Sequence, residues 1–291
     1  MPFRLKIAAF IAACLLCVAR AADAEPALWV AHGPNSTVYL FGTVHVLRTD
    51  TAWRSPKIAG AFAKASDLWL ETADGGDAKA AQGLALQFGI DPLHPLSKTL
   101  TVDDVQRVDA AAKAMGIAAG AAALEPMRPW LVAVTLTFGP ILKAGFDPAR
   151  GVDKLLREDA VAQSKPISGL ESTAQQVHFF ADMPEALQVV YLRHVLDDYA
   201  KAPAMLNTLV DAWAAGDVEG IARLEAAAFH ADDRAIYDEL ILKRNTAWAE
   251  RLAARLKQPG VSFVAVGAGH LAGPDSVQAL LAKRGITVTR E

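Results

Sequence analysis

Short apolar runs bounded by turn residues alternate along this chain with longer stretches of helical spacing. Leu28-Trp29-Val30 and Thr37 to Phe41 (TVYLF) flank Gly33-Pro34-Asn35-Ser36, a pattern that predicts a β-hairpin. Pro56 to Ala65 has helical spacing with proline at its start. Asp67 to Glu71 (DLWLE) is a short apolar run that ends in an acid. Strand, helix and strand in this order predict a βαβ unit with parallel strands. From Asp77 to about Ala160 the chain is alanine-rich and helical, with Thr101-Val102-Asp103-Asp104 as a capping signal.

Met127 to Lys143 is strongly apolar but contains Pro129, Gly139 and Pro140. It reads as a buried helix rather than a membrane span. Lys165 to Glu171 (KPISGLE) is a further short strand. Helical pattern then fills Pro184 to Ala228, with a break at Gly216, and Asp232 to Lys257. Val261 to Val266 (VSFVAV) is the clearest strand. A helix over Pro274 to Arg284, stopped by Gly285, and a last strand at Ile286 to Thr289 complete the chain. The expected fold is α/β: a mixed, largely parallel sheet built from both chain ends, with the long helical middle as a cap or layer.

The first residues follow a different logic. Arg4 and Lys6 precede 12 apolar residues, Ile7 to Val18, and then Ala19-Arg20-Ala21 and Ala22-Asp23-Ala24. A basic start, a short apolar stretch and A-x-A sites make a secretory signal over residues 1–24. Residues 25–291 are then expected to be a single mature domain in the periplasm or outside the cell. Ile11-Ala12-Ala13-Cys14 has the outline of a lipoprotein box. Lipid anchoring at Cys14 is disfavoured, because the preceding apolar stretch is short and Leu15-Leu16-Cys17-Val18 would be left exposed. Cleavage after Ala24 removes Cys14 and Cys17, the only two cysteines. Thiolate nucleophiles and cysteine-ligated zinc are thereby excluded from the mature chain.

Composition narrows the function classes. Of 291 residues 53% are hydrophobic and 21% charged, and the formal net charge is −3. No basic field exists to hold nucleic acid, and no membrane-spanning segment is expected after signal cleavage. There is no G-x-S-x-G, no Walker loop and no G-x-G-x-x-G fingerprint after a strand.

Chemistry concentrates where strands stop. Phe41 runs into Gly42-Thr43-Val44-His45, Leu70 into Glu71, Ile167 through Ser168-Gly169-Leu170 into Glu171, and Val266 into Gly267-Ala268-Gly269-His270. If these strands are parallel, two imidazoles and two carboxylates emerge at one sheet edge, where open α/β sheets bind ligands. Such a set suits a divalent metal. His32, His94, His178, His194 and His230 have no paired context and read as structural. Arg244 shares a helical stripe with Leu240, Trp248, Leu252 and Leu256. A guanidinium on an apolar face either snorkels to solvent or finds a carboxylate such as Glu171, or a substrate carbonyl oxygen. Arg150-Gly151-Val152-Asp153 reads as a helix start in which Asp153 could orient a ligand.

These pieces resemble the TraB/GumN (TraB/PrgY/GumN) family, which is related to the Tiki metalloproteases and to a superfamily that includes the haem-binding ChaN proteins. The resemblance rests on the following segments. Near the start they are Ala27-Leu28-Trp29-Val30, Tyr39-Leu40-Phe41-Gly42-Thr43-Val44-His45 and the acid after Asp67-Leu68-Trp69-Leu70. In the middle they are Arg150-Gly151-Val152-Asp153 and Gly169-Leu170-Glu171 with Gln175-Gln176. The late ones are Ala212-Trp213, Gly216-Asp217, Arg244-Asn245 with Trp248, and Val266 to Gly273. The two G-x-x-H turns at opposite ends, with the acid between them, are its specific part. It implies a metal site of His45, Glu71 and His270, and a peptidase-like hydrolase acting on a peptide or protein of the cell envelope. Glu171 would be a fourth ligand or the general base. Arg244 and Asn245 would stabilise an oxyanion or orient a carboxylate. Zinc, manganese or cobalt would suit the mixed nitrogen and oxygen donors. The rival expectation is a non-catalytic periplasmic protein that binds a metal, haem or an envelope peptide in the same cleft. Relatives often carry a further acid near the Glu71-Thr72-Ala73 position, so a thinner supporting shell around Glu71 is expected here.

Overall fold

The computed structural model describes residues 25–49, 51–74, 78–229 and 234–291. The expected signal segment, the start of the helix expected from Asp232, and His230 lie outside these residues. Six strands form one sheet: β1 (Leu28–Gly33), β2 (Ser36–Thr43), β3 (Asp67–Thr72), β4 (Ile167–Glu171), β5 (Gly260–Gly267) and β6 (Val288–Arg290). Between β2 and β3 lies α1 (Pro56–Lys64). Between β3 and β4 come α2 (Ala78–Gly89), α3 (Leu96–Thr99), α4 (Val102–Ala114), α5 (Pro129–Lys143) and α6 (Val152–Ala162). Between β4 and β5 come α7 (Thr173–Ala181), α8 (Glu185–Asp198), α9 (Ala202–Ala214), α10 (Val218–Ala228), α11 (Arg234–Tyr237) and α12 (Lys243–Arg255). The last helix, α13 (Val277–Ala282), precedes β6.

The sheet order is β4-β3-β5-β2-β1-β6. β1 and β2 form the expected antiparallel hairpin, with Leu28 opposite Phe41 and Gly33 opposite Ser36. β2, β5, β3 and β4 are mutually parallel. The βαβ expectation is right in direction, but β2 and β3 are not neighbours: β5, from the far end of the chain, inserts between them. The reason lies in its composition. Phe263, Val264, Ala265 and Val266 are all buried, and a strand that is apolar on both faces is stable only in the middle of a covered parallel sheet.

Alternation along that strand divides the core in two. Phe263 and Ala265 join Phe41, Leu68 and Leu70 under α1 and α6, where Ile58, Phe62, Val152 and Leu156 pack. Val264 and Val266 join Leu40 and Leu170 under α12 and α13, through Trp248, Leu252 and Leu281. A third core ties α4, α5 and α8 together through Val108, Leu136 and Leu192, which makes the helical middle a cap with its own interior. Asp104 both completes the predicted capping box with Thr101 and takes Nη2 of Arg193 on α8 at 2.8 Å. The predicted apolar helix is α5; Trp130, Leu131, Val132, Ala133 and Leu136 are buried, while Phe138 and Leu142 remain exposed. No helix among the described residues is long and apolar enough to cross a membrane.

Two long helices expected from sequence are subdivided. The Pro184–Ala228 stretch is α8, α9 and α10, because Pro203 starts a new helix as well as Gly216 (φ +66°) ending one. The last long helix contains a π-helical turn, Asp238–Leu242, immediately before α12. That turn changes the angular phase, so Leu240 is only half-buried while Trp248, Leu252 and Leu256 are buried. π-Turns inside helices are frequent at functional sites, and this one delivers Arg244.

Candidate active site at the carboxyl edge of the sheet

The parallel register aligns Thr43 with Gly267, and Thr72 with Glu171, so four strands end together. The end of β2 is held by helices from the middle of the chain. Trp213 Nε1 donates to Gly42 O at 2.8 Å, and Val152 N donates to Val44 O at 2.9 Å. The second contact brings the Arg150–Asp153 segment against His45. A cleft of about 910 Å³ opens above the edge, lined among others by His45, Glu71, Asp153, Lys154, Arg157 and Gln176.

The two histidines are set by different partners. His45 Nδ1 lies 3.1 Å from Asp153 Oδ1. His270 Nδ1 lies 2.6 Å from Asn245 Oδ1. The Asn245 amide donates to Asp275 O at 2.8 Å, which turns its oxygen towards the ring. Each Nδ1–H therefore donates outward from the site, and each Nε2 points towards it. Trp248 packs on the His270 ring with centroids 4.4 Å apart.

Gly267 locates the centre. An ideal Cβ there would lie 3.2 Å from Glu71 Oε1, 3.5 Å from His270 Cδ2 and 3.8 Å from His45 Nε2. The three residues expected to act together from opposite ends of the chain thus surround one point, which the missing side chain keeps open.

Arg244 sits among them. Its Nη2 lies 2.8 Å from Glu71 Oε2 and 2.5 Å from Glu171 Oε1, its Nε 3.1 Å from Glu171 Oε1, and its Nη1 3.1 Å from His270 Nε2. The guanidinium lies 4.8 Å from the Trp248 ring and 5.5 Å from that of Phe179. Only 12% of the side chain is exposed, so it does not snorkel. Glu171 also accepts from Trp248 Nε1 at 3.0 Å and Gln176 Nε2 at 2.8 Å. Gln176 donates to Glu71 as well, at 3.0 Å, and Gly267 N donates to Glu71 at 2.8 Å. The shell around Glu71 is therefore well furnished without a further acid. Sequence reading gave no role in the site to Gln176, and read Trp248 only as part of an apolar helix stripe. The usable signal for Gln176 was its position in the first turn of the helix that follows Glu171.

Among the described residues no three histidine, cysteine, aspartate or glutamate side chains are arranged to hold a metal ion. As placed, the cation between Glu71, Glu171 and His270 is the guanidinium.

The charges separate accordingly. Burial pushes the His270 imidazole down, with the Arg244 and His45 charges adding to it, to about 3, so it is neutral at pH 7. Crowding lowers His45 too, but the Asp153 hydrogen bond and the Glu71 and Asp153 charges outweigh it and bring it to about 9. That ring nevertheless keeps 62% of its side-chain surface open. Burial raises the Glu71 carboxyl, yet the surrounding His270, Arg244 and His45 groups and the Gly267 amide hold it at about 2. The site at neutral pH thus offers a cationic imidazole, a neutral imidazole and an ionised carboxylate around one opening. Of the histidines read as structural, His32 pairs with Thr37, His94 with Asp91 and His178 with Asp182.

The chain belongs to the TraB/PrgY/gumN family, whose family model matches residues 27–290. An uncharacterized protein of Treponema pallidum (strain Nichols) is 25% identical over 272 residues, covering 89% of this chain and 81% of its own length. The uncharacterized protein YbaP of Escherichia coli (strain K12) is 23% identical over 256 residues, covering 88% of this chain and 92% of its own; its counterpart in Shigella flexneri matches equally. No solved structure matches.

Proposed function

We propose that this member of the TraB/PrgY/gumN family is an exported, metal-dependent hydrolase of peptidase type, acting on a peptide or protein segment of the cell envelope. The observation that carries the reading is the convergence of His45, His270 and Glu71 on the opening at Gly267, with each imidazole held through its Nδ1. Ligation by His45, cationic at neutral pH, requires the loss of its proton. An imidazole whose Nδ1–H is tied to a carboxylate or an amide oxygen is oriented as a metal-ligating histidine is. The donor chemistry fits zinc, manganese or cobalt. Engagement of His270 Nε2 requires Arg244 Nη1 to give up its contact there. Such an ion would supply Lewis-acid polarisation of a carbonyl and activation of water as a nucleophile.

The chain's own residues divide the remaining work. His45, His270 and Glu71 would hold the ion. Asn245, fully buried and committed to His270 and Asp275, positions His270. Glu171 has its oxygens taken by Arg244, Trp248 and Gln176, so it anchors the guanidinium. Arg244, freed at one end, faces the developing charge on a substrate carbonyl. The 910 Å³ cleft lies at the upper end of the range for small-molecule sites, about 300–1,000 Å³, and has room for several residues of extended peptide.

Mature protein incubated with a peptide library is expected to cut peptides in the presence of zinc, manganese or cobalt. Activity should disappear with a chelator, and in His45→Ala and His270→Ala. A second reading, a binding protein without hydrolysis, draws on the guanidinium already neutralising both carboxylates. Peptide binding that persists with chelator, with no bond cut under any metal, would establish it instead. Export rests on residues 1–24: amino-terminal sequencing of protein from the periplasmic fraction should start near Glu25. An intact Met1 on cytoplasmic protein would refute export, and a diacylglyceryl group on Cys14 would replace the soluble form with an anchored one.

A further inference from the structure

A second cavity, of about 440 Å³, lies in the cap among α5, α8, α9, α10 and α11, outside the cleft described above. Its walls are largely apolar: Leu206, Leu209, Leu224, Phe229, Ile236 and Leu240 all face it. Its volume falls towards the lower end of the range for small-molecule sites, about 300–1,000 Å³.

One group in this lining is out of place. Glu225 of α10 is half-buried, and no hydrogen bond to its carboxyl is found among the described residues. Burial alone pushes that carboxyl up, to about 7. A carboxyl partly withdrawn from water gains from a cationic partner. The other carboxylate of the lining, Asp198, is answered by Lys201 Nζ at 3.3 Å. Glu225 also lies against the turn that carries His270: a Cβ built on Gly269 would meet Glu225 Oε1 at 1.6 Å.

We infer that the cap cavity is a binding site for an amphipathic organic ammonium, its chain or ring against the leucine and phenylalanine walls and its charged nitrogen on Glu225. The walls exclude a fully hydrated cation. The unanswered Glu225 carboxyl disfavours an anion. A neutral amphiphile would leave the Glu225 carboxyl as poorly answered as it is now.

Calorimetric titration of the mature, metal-free protein with n-octylamine, n-octanol and octanoate, each below its micellar range, tests this. Octylamine is expected to bind at one site at least tenfold more tightly than octanol, with octanoate weakest. Glu225→Gln should remove that tenfold preference and leave octanol unchanged. Ala228→Trp, at the exposed rim, should block all three and keeps the test open if Glu225→Gln does not fold. Equal or tighter binding of octanol or octanoate would overturn the inference. So would an amine preference that survives Glu225→Gln, unaltered binding in Ala228→Trp, or no binding at all. The readout needs no metal and no turnover, so it stands or falls apart from hydrolysis.

Discussion

Arg244→Ala is expected to cost the fold about 3–5 kcal/mol, the penalty for breaking a buried ion pair by removing one partner. Here the loss strands two carboxylates at once. Glu71 and Glu171 expose 14% and 5% of their side chains, and one guanidinium nitrogen touches both. For a chain of this size about 1 kcal/mol corresponds to roughly 2–4 °C, so the melting temperature should fall by about 10 °C. Arg244→Lys should recover part of the loss. An ammonium restores the charge but cannot reach Glu71, Glu171 and His270 together, nor stack between Trp248 and Phe179 as a planar group does. It should bind divalent metal and yet hydrolyse poorly, because the oriented donors are gone. Thermal melts and turnover measured on the same three proteins separate the roles. If the lysine variant melts low and whatever stays folded remains fully active, Arg244 is structural only. Wild-type stability and activity in the alanine variant would withdraw both roles.

Gly267→Ala should do the opposite: preserve the fold and empty the site of function. The residue has φ −49° and ψ 135°, which alanine adopts without strain, and the amide that donates to Glu71 is retained. The added methyl, however, lands at the point where Glu71, His270 and His45 converge, 3.2 Å from a Glu71 oxygen. Reacting groups displaced by about 1 Å commonly cost on the order of 100-fold in rate. A loss of at least about 100-fold, with a melting temperature close to wild type and weakened metal binding, is expected. A variant that melts normally and retains metal binding and turnover would show that the reacting centre lies elsewhere in the cleft.

Much of this was legible in the residues because it is local. Gly33 to Ser36 between two apolar runs specifies a hairpin whatever surrounds it. The unbroken Phe263–Val266 run specifies a strand covered on both faces. Two G-x-x-H turns and two acids, each at the end of a short strand, could be read as one edge once the strands were taken as parallel. Arg244, four residues from Trp248 on an apolar stripe, had to meet a carboxylate or leave the stripe. The tertiary structure decided what spacing along a chain does not encode. It put β5 between β2 and β3, which is what brings Gly267 beside Glu71. It supplied Asp153 and Asn245 as the separate partners that fix the two imidazoles, and Gln176 as the bridge between the two carboxylates. It also set the guanidinium among Glu71, Glu171 and His270, and used a π-turn to aim it there. Periodicity records which side of a segment is buried. Which buried polar groups share a site depends on how strands and helices from distant parts of the chain come together, and that is chosen by how the apolar faces close over one another.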